Sequence, residues 1–401
     1  VVYRTVEACC NLEDNPIVTI SDQGAGGNCN VLQELVEKHG ALIRLDQLKT
    51  GDKTMSPLEL WIAEYQESNA VIIRPKDIQR FSSVCKRESC PMSVIGRVTD
   101  TGRMVVTHDN KVVVDLNLQQ ILGDLPQKVS ELKTNDIRTS TLIIPTKPNK
   151  PLRDLVYQVL RDPCVASKGY LVHKVDRTVG GLTLQDQCVG PLQVPVSNYA
   201  LMAQDFSFHI GIVTSIGEKP ILSLIYPERM AWMAVAEALT NMMWCLTDGI
   251  GNIKLSANWM WPYKDANLVK ACESLSQFCC DIGITIDGGK DSLSMETGGI
   301  EAPGSLVISA YSLCPDITKR TSPQLSPDGE PIYLFTLSDH MRLGGSVLYQ
   351  VSGGVGNNCP DVDPKSLKIL FNYVQHLIKE GLIIAGHDRS DGGLITALVE
   401  M

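Results

Sequence analysis

Ser21-Asp22-Gln23-Gly24-Ala25-Gly26-Gly27-Asn28 follows a short apolar run, Pro16–Ile20, and leads into an amphipathic segment, Val31–His39, that Gly40 stops. Strand, glycine-rich loop, helix is the layout that turns backbone N–H groups at a helix N-terminus toward an anion. Asp22, just past the strand, offers a hard oxygen that can hold Mg²⁺ against such an anion. No Gly-Lys-Ser/Thr follows, so this is not a Walker A loop. Taken alone, a turn of this kind is more often structural than ligand-binding.

Its weight comes from an echo near the other end. Leu382–Ala385 reads as a strand, followed by Gly386, His387-Asp388-Arg389-Ser390-Asp391-Gly392-Gly393 and a helix over Leu394–Met401. Strand, Asp, double Gly and helix recur in the same order, which points to a duplicated two-domain unit. The chain then holds the back half of one copy, the front half of a second, and the beginning of that copy's back half. It opens at Val1 without Met and stops inside an apparent helix, so it reads as a piece of something longer. The expected class is α/β (α+β), with domains over 1–125, 151–320 and 321–401 and a linker over 126–150.

The bulk numbers fit a soluble two- or three-domain chain. Its 401 residues are 44% hydrophobic and 20% charged, with a formal net charge of −9. That charge argues against nucleic acid or an anionic membrane surface as partner, though a local site can still bind an anion. The 13 cysteines are odd in number and include no Cys-x-x-Cys pair, so reduced thiols in a cytosolic setting are expected rather than zinc or disulfides. No signal peptide and no membrane-length apolar run is present.

Between the two loops the chain alternates strand and helix patterns. Ser56-Pro57 starts a helix, the polar cluster Gln66-Glu67-Ser68-Asn69 precedes a strand over Ala70–Arg74, and Ile95–Val106 and Lys111–Leu116 read as further strands. A second domain begins with a helical pattern over Leu152–Leu160. Lys174–Pro195 is rich in Asp, Gln, Gly and Thr. It reads as extended chain with tight turns that either hold polar groups toward a charged ligand or face water. Ala200–Ala203 and Gly211–Thr214 are strands, and Pro227 starts a long helix to about Leu246. On that helix Glu237 and Asn241 stand four apart, on one face, among small and apolar neighbours. They need a partner there, either a phosphate-bound metal or a hydrogen-bond network. Ile253–Leu255, Ile282–Ile286 and Leu306–Ala310 are strand candidates. The second leads into Asp287-Gly288-Gly289-Lys290-Asp291-Ser292, where Lys290 and Ser292 offer a cation and a hydroxyl for an oxyanion.

The segments SDQGAGGN, SPLELWIAEYQES, KVDRTVGG, DQCVGPLQVP, AEALTN, LSANWMW, GGKDSLSM, APGSLVISAY and GHDRSDGGL, in this order over nearly the whole chain, resemble the large single-chain formylglycinamide ribonucleotide amidotransferases, the phosphoribosylformylglycinamidine synthase family. The resemblance implies tandem aminoimidazole-ribonucleotide-synthetase-like units. Each has a barrel-forming N-terminal domain and an outer C-terminal domain, here incomplete at both ends. It implies an ATP- and glutamine-dependent ligase of purine synthesis in the cytoplasm. ATP phosphorylates the formamide oxygen, and ammonia from a glutaminase domain on the same full-length chain then displaces the phosphate.

By the same resemblance Asp176, Glu237, Asn241 and Asp388 correspond to Mg²⁺ ligands of a second, ADP-holding site, with Val175 and Ser390 as nucleotide contacts. Asp22, Gln66, Glu67 and Ser68, with Gly289, Lys290 and Ser292, correspond to parts of the catalytic cleft. Ser21 stands where the family's loop commonly has His, and a hydroxyl cannot serve as a base near neutral pH. The family's first ATP loop and glutaminase nucleophile are not in these 401 residues, so the isolated piece is expected to be inactive. Two rivals remain, a single-copy synthetase of the same superfamily and a non-catalytic Mg-ADP-binding scaffold. The repeated loop speaks against the first, and Ser21 favours the second.

Overall fold

The structure, a computed structural model, describes residues 1–123, 126, 127, 129–133, 152–178, 180–338 and 340–401. The chain divides into two units, Val1–Val129 and Ser130–Met401. From residue 134 onward the expected linker lies outside the described residues.

The first unit begins with α1 (Val2–Cys10), β1 (Ile17–Asp22), α2 (Gly27–Val36) and β2 (Ala41–Arg44). α3 (Pro57–Ile62) starts at a capping box. Ser56 accepts from the Glu59 N–H while Glu59 reaches back to the Ser56 N–H, an arrangement that contributes about 1 kcal/mol. β3 (Asn69–Ile73), α4 (Ile78–Arg87), β4 (Gly96–Val98), β5 (Arg103–His108), β6 (Lys111–Asn117) and α5 (Leu118–Leu122) complete it. β1 and β3 form an antiparallel pair, and the remaining strands form a sheet in the order β4-β2-β5-β6. Val31, Leu32 and Val36 of α2 share one core with Ile43, Met104 and Val106 of that sheet and with Trp61. The single strand expected over Ile95–Val106 is two strands. Thr99 N–H donates to Gly40 C=O and Gly102 N–H to His39 C=O, which fixes a turn between β4 and β5.

In the second unit α6 (Leu152–Arg161), α7 (Gly169–Val172) and β7 (Thr183–Gln185) lead to β8 (Ala200–Ala203), β9 (Gly211–Glu218) and α8 (Pro227–Met242). Then come β10 (Lys254–Met260), α9 (Asn267–Ile282), β11 (Thr285–Ser292), the short pair β12 (Glu296–Thr297) and β13 (Ile300–Glu301), and β14 (Ser305–Cys314). α10 (Val347–Val351), α11 (Pro364–Glu380) and α12 (Gly393–Glu400) follow. Six strands form one sheet, β11-β10-β14-β9-β8-β7, parallel only between β10 and β11.

α8 is the element on which this unit is built. Ala231, Ala234, Val235, Ala238, Leu239 and Met242 are all fully buried, at the spacing of one helix face. The alanines on this face, with Gly217 opposite them on β9, bring α8 close enough to β9 for the Ser215 hydroxyl to donate to Ala238 C=O at 2.7 Å. α9 and α11 extend the same core. The opposite face of the sheet leaves Met202, Ile212, Ile216 and Leu313 exposed. The sheet is open, and no closed barrel forms among the described residues.

Three expectations change here. Ile282 ends α9, and the strand expected over Ile282–Ile286 starts instead at Thr285 and runs on to Ser292, an edge strand of the sheet. The helix expected to reach Leu246 ends at Met242. Leu382–Ala385 makes only a single bridge, Ala385 to Ser322, because the chain there has no strand neighbour to continue it. Among the described residues no helix is long and apolar enough to cross a membrane.

Candidate functional site

In the first unit the polar candidates meet where β1 and β3 end. Asp22 lies opposite Asn69 in the pair, and Gln23 N–H donates to Ser68 C=O at 2.9 Å. Asp22, Gln66, Glu67 and Ser68 are therefore neighbours, all exposed. Glu67 sits at φ 65°, a left-handed conformation that a side chain adopts only at a cost. Behind them is a polar core. Gln23, 6% exposed, donates from Nε2 to Asn28 Oδ1 at 2.7 Å, and Asn28 donates from Nδ2 to Leu60 C=O at 2.8 Å. The Gln23 Oε1 atom is buried without a hydrogen-bond partner. The N-terminus of α2 is already engaged, since Gly26 N–H donates to Glu64 Oε1 at 3.1 Å. Ser21 is half-buried and paired with Ala70 in the strand.

In the second unit Gly289, Lys290 and Ser292 lie on β11, opposite Ala257, Asn258 and Met260 of β10. All three are exposed, and Lys290 Nζ donates to Asp291 C=O at 2.5 Å. They face solvent from an edge strand rather than enclosing a ligand.

The Lys174–Pro195 stretch holds its polar groups together. Arg177 Nη2 sits 2.8 Å from Asp186 Oδ2, Asp186 Oδ1 accepts from Cys188 N–H, and Val189 and Val194 bridge across the Gly190 turn. Val175 and Asp176 are exposed.

Glu237 and Asn241 do share a site. With Ser390, Asp391, Glu218 and Glu400 they line a cavity of about 270 Å³ between the end of β9, α8 and the α12 loop. Asn241 Nδ2 donates to Ile216 C=O at 3.0 Å, and Glu237 Oε2 accepts from Glu218 N–H at 2.8 Å. Lys219 enters the same cluster. Its Nζ donates to Glu237 Oε1 at 2.7 Å, Ser390 Oγ at 2.8 Å and Asp391 Oδ1 at 3.3 Å. Ser390 Oγ also donates to Glu237 Oε1. Burial on its own would lower the Lys219 pKa, but Glu237 and Asp391 outweigh it and hold it above the usual lysine value. Burial raises the Glu218 carboxyl, and raises Glu237 against the pull of Lys219.

Asp388 is elsewhere. It is buried beside His387, with Nδ1 3.3 Å from Asp388 Oδ1, while Glu400 Oε2 meets Nε2 at 2.8 Å. Burial alone would lower the His387 pKa. The two carboxylates overcome it and take the pKa to about 9.

The four residues implied for Mg²⁺ are thus not gathered. Two share the cavity, Asp176 is in solvent and Asp388 is turned to His387, and Glu237 already holds an ammonium. Among the described residues no group of three or more His, Cys, Asp or Glu could hold a metal ion. The donors present do not fit a divalent ion in this arrangement. Sequence reasoning missed Lys219, Asp391, Glu218 and Glu400 here, and Gln23, Asn28 and Glu64 in the first unit. The signal for Lys219 was present, since Glu218-Lys219-Pro220 places two charges where strand β9 ends.

Two family models match in the order the repeat implies. Residues 2–109 match the AIR synthase related protein C-terminal domain, and residues 167–313 match the FGAR-AT PurM N-like domain. Over 426 residues the chain is 43% identical to a probable phosphoribosylformylglycinamidine synthase, chloroplastic/mitochondrial, of Arabidopsis thaliana, covering 100% of this chain and 30% of that one. It is 42% identical over 428 residues to the Homo sapiens phosphoribosylformylglycinamidine synthase, covering 99% and 32%. The chain thus spans about a third of the length of these relatives. Among solved structures, Thermotoga maritima PurL complexed with FGAR superposes with a TM-score of 0.60 at 18% identity, over 95% of this chain and 55% of that one. The same protein complexed with ATP gives 0.57 at 20%, over 77% and 48%. With its sequence matched from end to end and its fold shared, the chain belongs to the phosphoribosylformylglycinamidine synthase family.

Proposed function

We propose that this chain is part of an ATP- and glutamine-dependent ligase that converts formylglycinamide ribonucleotide to formylglycinamidine ribonucleotide. The observation that carries this is identity of 40–43% to proteins of that name across essentially the whole chain. In the proposed reaction the γ-phosphoryl group of ATP passes to the glycinamide carbonyl oxygen and ADP leaves. Ammonia then attacks the carbon that bears the phosphorylated oxygen, and phosphate departs with that oxygen to leave the amidine. Phosphorylation converts a poor leaving oxygen into a good one, and the protein's part is positioning and charge stabilisation. Asp22, Gln66, Glu67 and Ser68 of the first unit, and Gly289, Lys290 and Ser292 of the second, are the residues proposed to meet substrate. Their exposure at a strand end and an edge strand leaves them accessible to it. Val175, Asp176 and Ser390 are proposed to contact a second nucleotide.

A glutaminase domain on the same full-length chain and a cytosolic setting belong to this proposal. All 13 cysteines are free thiols, consistent with a reducing compartment, although the Arabidopsis relative is named as an organelle protein. The open apolar face of the second unit's sheet is where a like sheet would pack to form a barrel.

The test is turnover of the full-length protein with ATP, glutamine and formylglycinamide ribonucleotide, read as amidine product and ADP. Asp22→Asn and Glu67→Gln should each lower kcat/KM at least tenfold while leaving glutaminase activity intact. Tight ADP binding without any turnover would instead leave a nucleotide-binding scaffold, the reading that Ser21 favours.

A further inference from the structure

Four of the ten residues that line the Glu237 cavity are acidic: Glu218, Glu237, Asp391 and Glu400. Glu400 pairs with His387, and the cation bonded to Glu237 and Asp391 is the Lys219 ammonium, whose side chain is only 15% exposed. An ammonium has three N–H donors, and Lys219 has three acceptors: Glu237, Ser390 and Asp391. Glu237 is equally committed, to Lys219, to Ser390 and to the Glu218 N–H. Lys219 is the residue directly after β9, so the sheet delivers its backbone to the cavity mouth.

We propose that Lys219 is the resident cation of this cavity, a tethered ammonium that balances Glu237 in the nucleotide-free protein at the place where the family resemblance implies a divalent ion. The physical ground is that a buried carboxylate stripped of its partner is strongly unfavourable. A divalent ion at Glu237 would have to expel Lys219, because two cations cannot share the carboxylate without repulsion. Cation affinity of the cavity is then set by this chain's own lysine. A neutral residue at 219 opens the site to metal, and an arginine keeps it closed. The inference concerns the free protein and needs no turnover, so it stands or falls separately from the proposed reaction.

Hydrogen exchange of the full-length protein, free of nucleotide, is the test, followed over residues 216–220, 233–242 and 387–392. In the natural protein, exchange in EDTA and in millimolar Mg²⁺ should agree. Lys219→Met should exchange about tenfold faster or more in EDTA and recover protection in Mg²⁺, and Lys219→Arg should match the natural protein in both. If Lys219→Met does not fold, the double variant Lys219→Met/Glu237→Gln, with both charges removed, should fold and ignore Mg²⁺. Protection in the natural protein that needs Mg²⁺ overturns the proposal. So does a Lys219→Met protein as well protected in EDTA as the natural one, or a double variant that still fails to fold.

Discussion

The two glycine-rich loops have nearly the same backbone and opposite chemistry. Gly26 caps α2 at φ 82°, ψ 0°, and Gly392 caps α12 at φ 82°, ψ −11°; the next residues, Gly27 and Gly393, are at φ 59° and 71°. Beyond the shared Asp22 and Asp388, the side chains at matched positions differ. Gln23 is buried where Arg389 is exposed, and Asn28 is buried where Leu394 is 41% exposed. In the first loop a backbone N–H is met by the carboxylate of Glu64. In the second, the loop's own Ser390 and Asp391 meet the ammonium of Lys219. One turn geometry therefore serves two electrostatic environments, and the geometry alone does not tell which ligand a loop takes.

The largest effect that separates them is at the second glycine. A Cβ at Gly27 would lie 2.2 Å from Ala63 C=O and 2.7 Å from Ile62 C=O, both backbone atoms that cannot move aside without breaking the end of α3. At Gly393 a Cβ meets nothing within 4 Å, so only the left-handed φ resists. Gly27→Ala should destabilise the first unit by about 3 kcal/mol or more, and Gly393→Ala the second by about 1 kcal/mol. Denaturant unfolding with exchange read separately in each unit checks this. Equal costs would mean that the shared backbone, not the packing around it, governs both loops.

A smaller effect lies one position further on. Asn28→Ala removes the link between Gln23 and Leu60 C=O and leaves both buried and unpaired, at a cost of about 2 kcal/mol. Leu394→Ala, at the matched exposed position, should cost no more than about 0.5 kcal/mol. If the two proved alike, the polar core behind the first loop would contribute nothing.

Where the sequence was legible, one local rule decided the matter. Ser56-Pro57 with Glu59 announces the start of α3, the double glycines announce both loops, and Glu237 and Asn241 stand on one face because they are four apart. α4 was legible by the same kind of rule, since Ile78, Phe81, Val84 and Cys85 recur at helical spacing and the last three are buried. Asp287–Ser292 carries glycines and charges that hide its strand character from the sequence; on an edge strand the same residues simply face solvent. The site was harder still. Lys219 and Ser390 are far apart in the chain, and they reach one carboxylate only because α8 packs on β9 and the loop before α12 packs beside both, so no spacing rule could join them. Asp388 is a comparable case. Its residue type suits a metal, but its Oδ1 stands 3.3 Å from His387 Nδ1, a charge contact that lacks hydrogen-bond geometry.

The finest test of the comparison is Glu64→Gln. Its Oε1 receives the Gly26 N–H at 3.1 Å from an exposed position, so the substitution keeps an acceptor and removes only the charge at the N-terminus of α2. A carboxylate there is worth about 0.3–1 kcal/mol at low salt, through the partial positive charge of the helix end. Salt at about 1 M shortens the screening length to about 3 Å, so most of that difference should vanish. Urea unfolding of the first unit at low and high salt gives both numbers. A cost of about 2 kcal/mol that salt leaves unchanged would show that Glu64 is a buried partner like Glu237, and the two loops would then differ only in the sign of their charges. A small, screened cost would instead place the first loop's counter-ion in solvent and the second's in the protein interior.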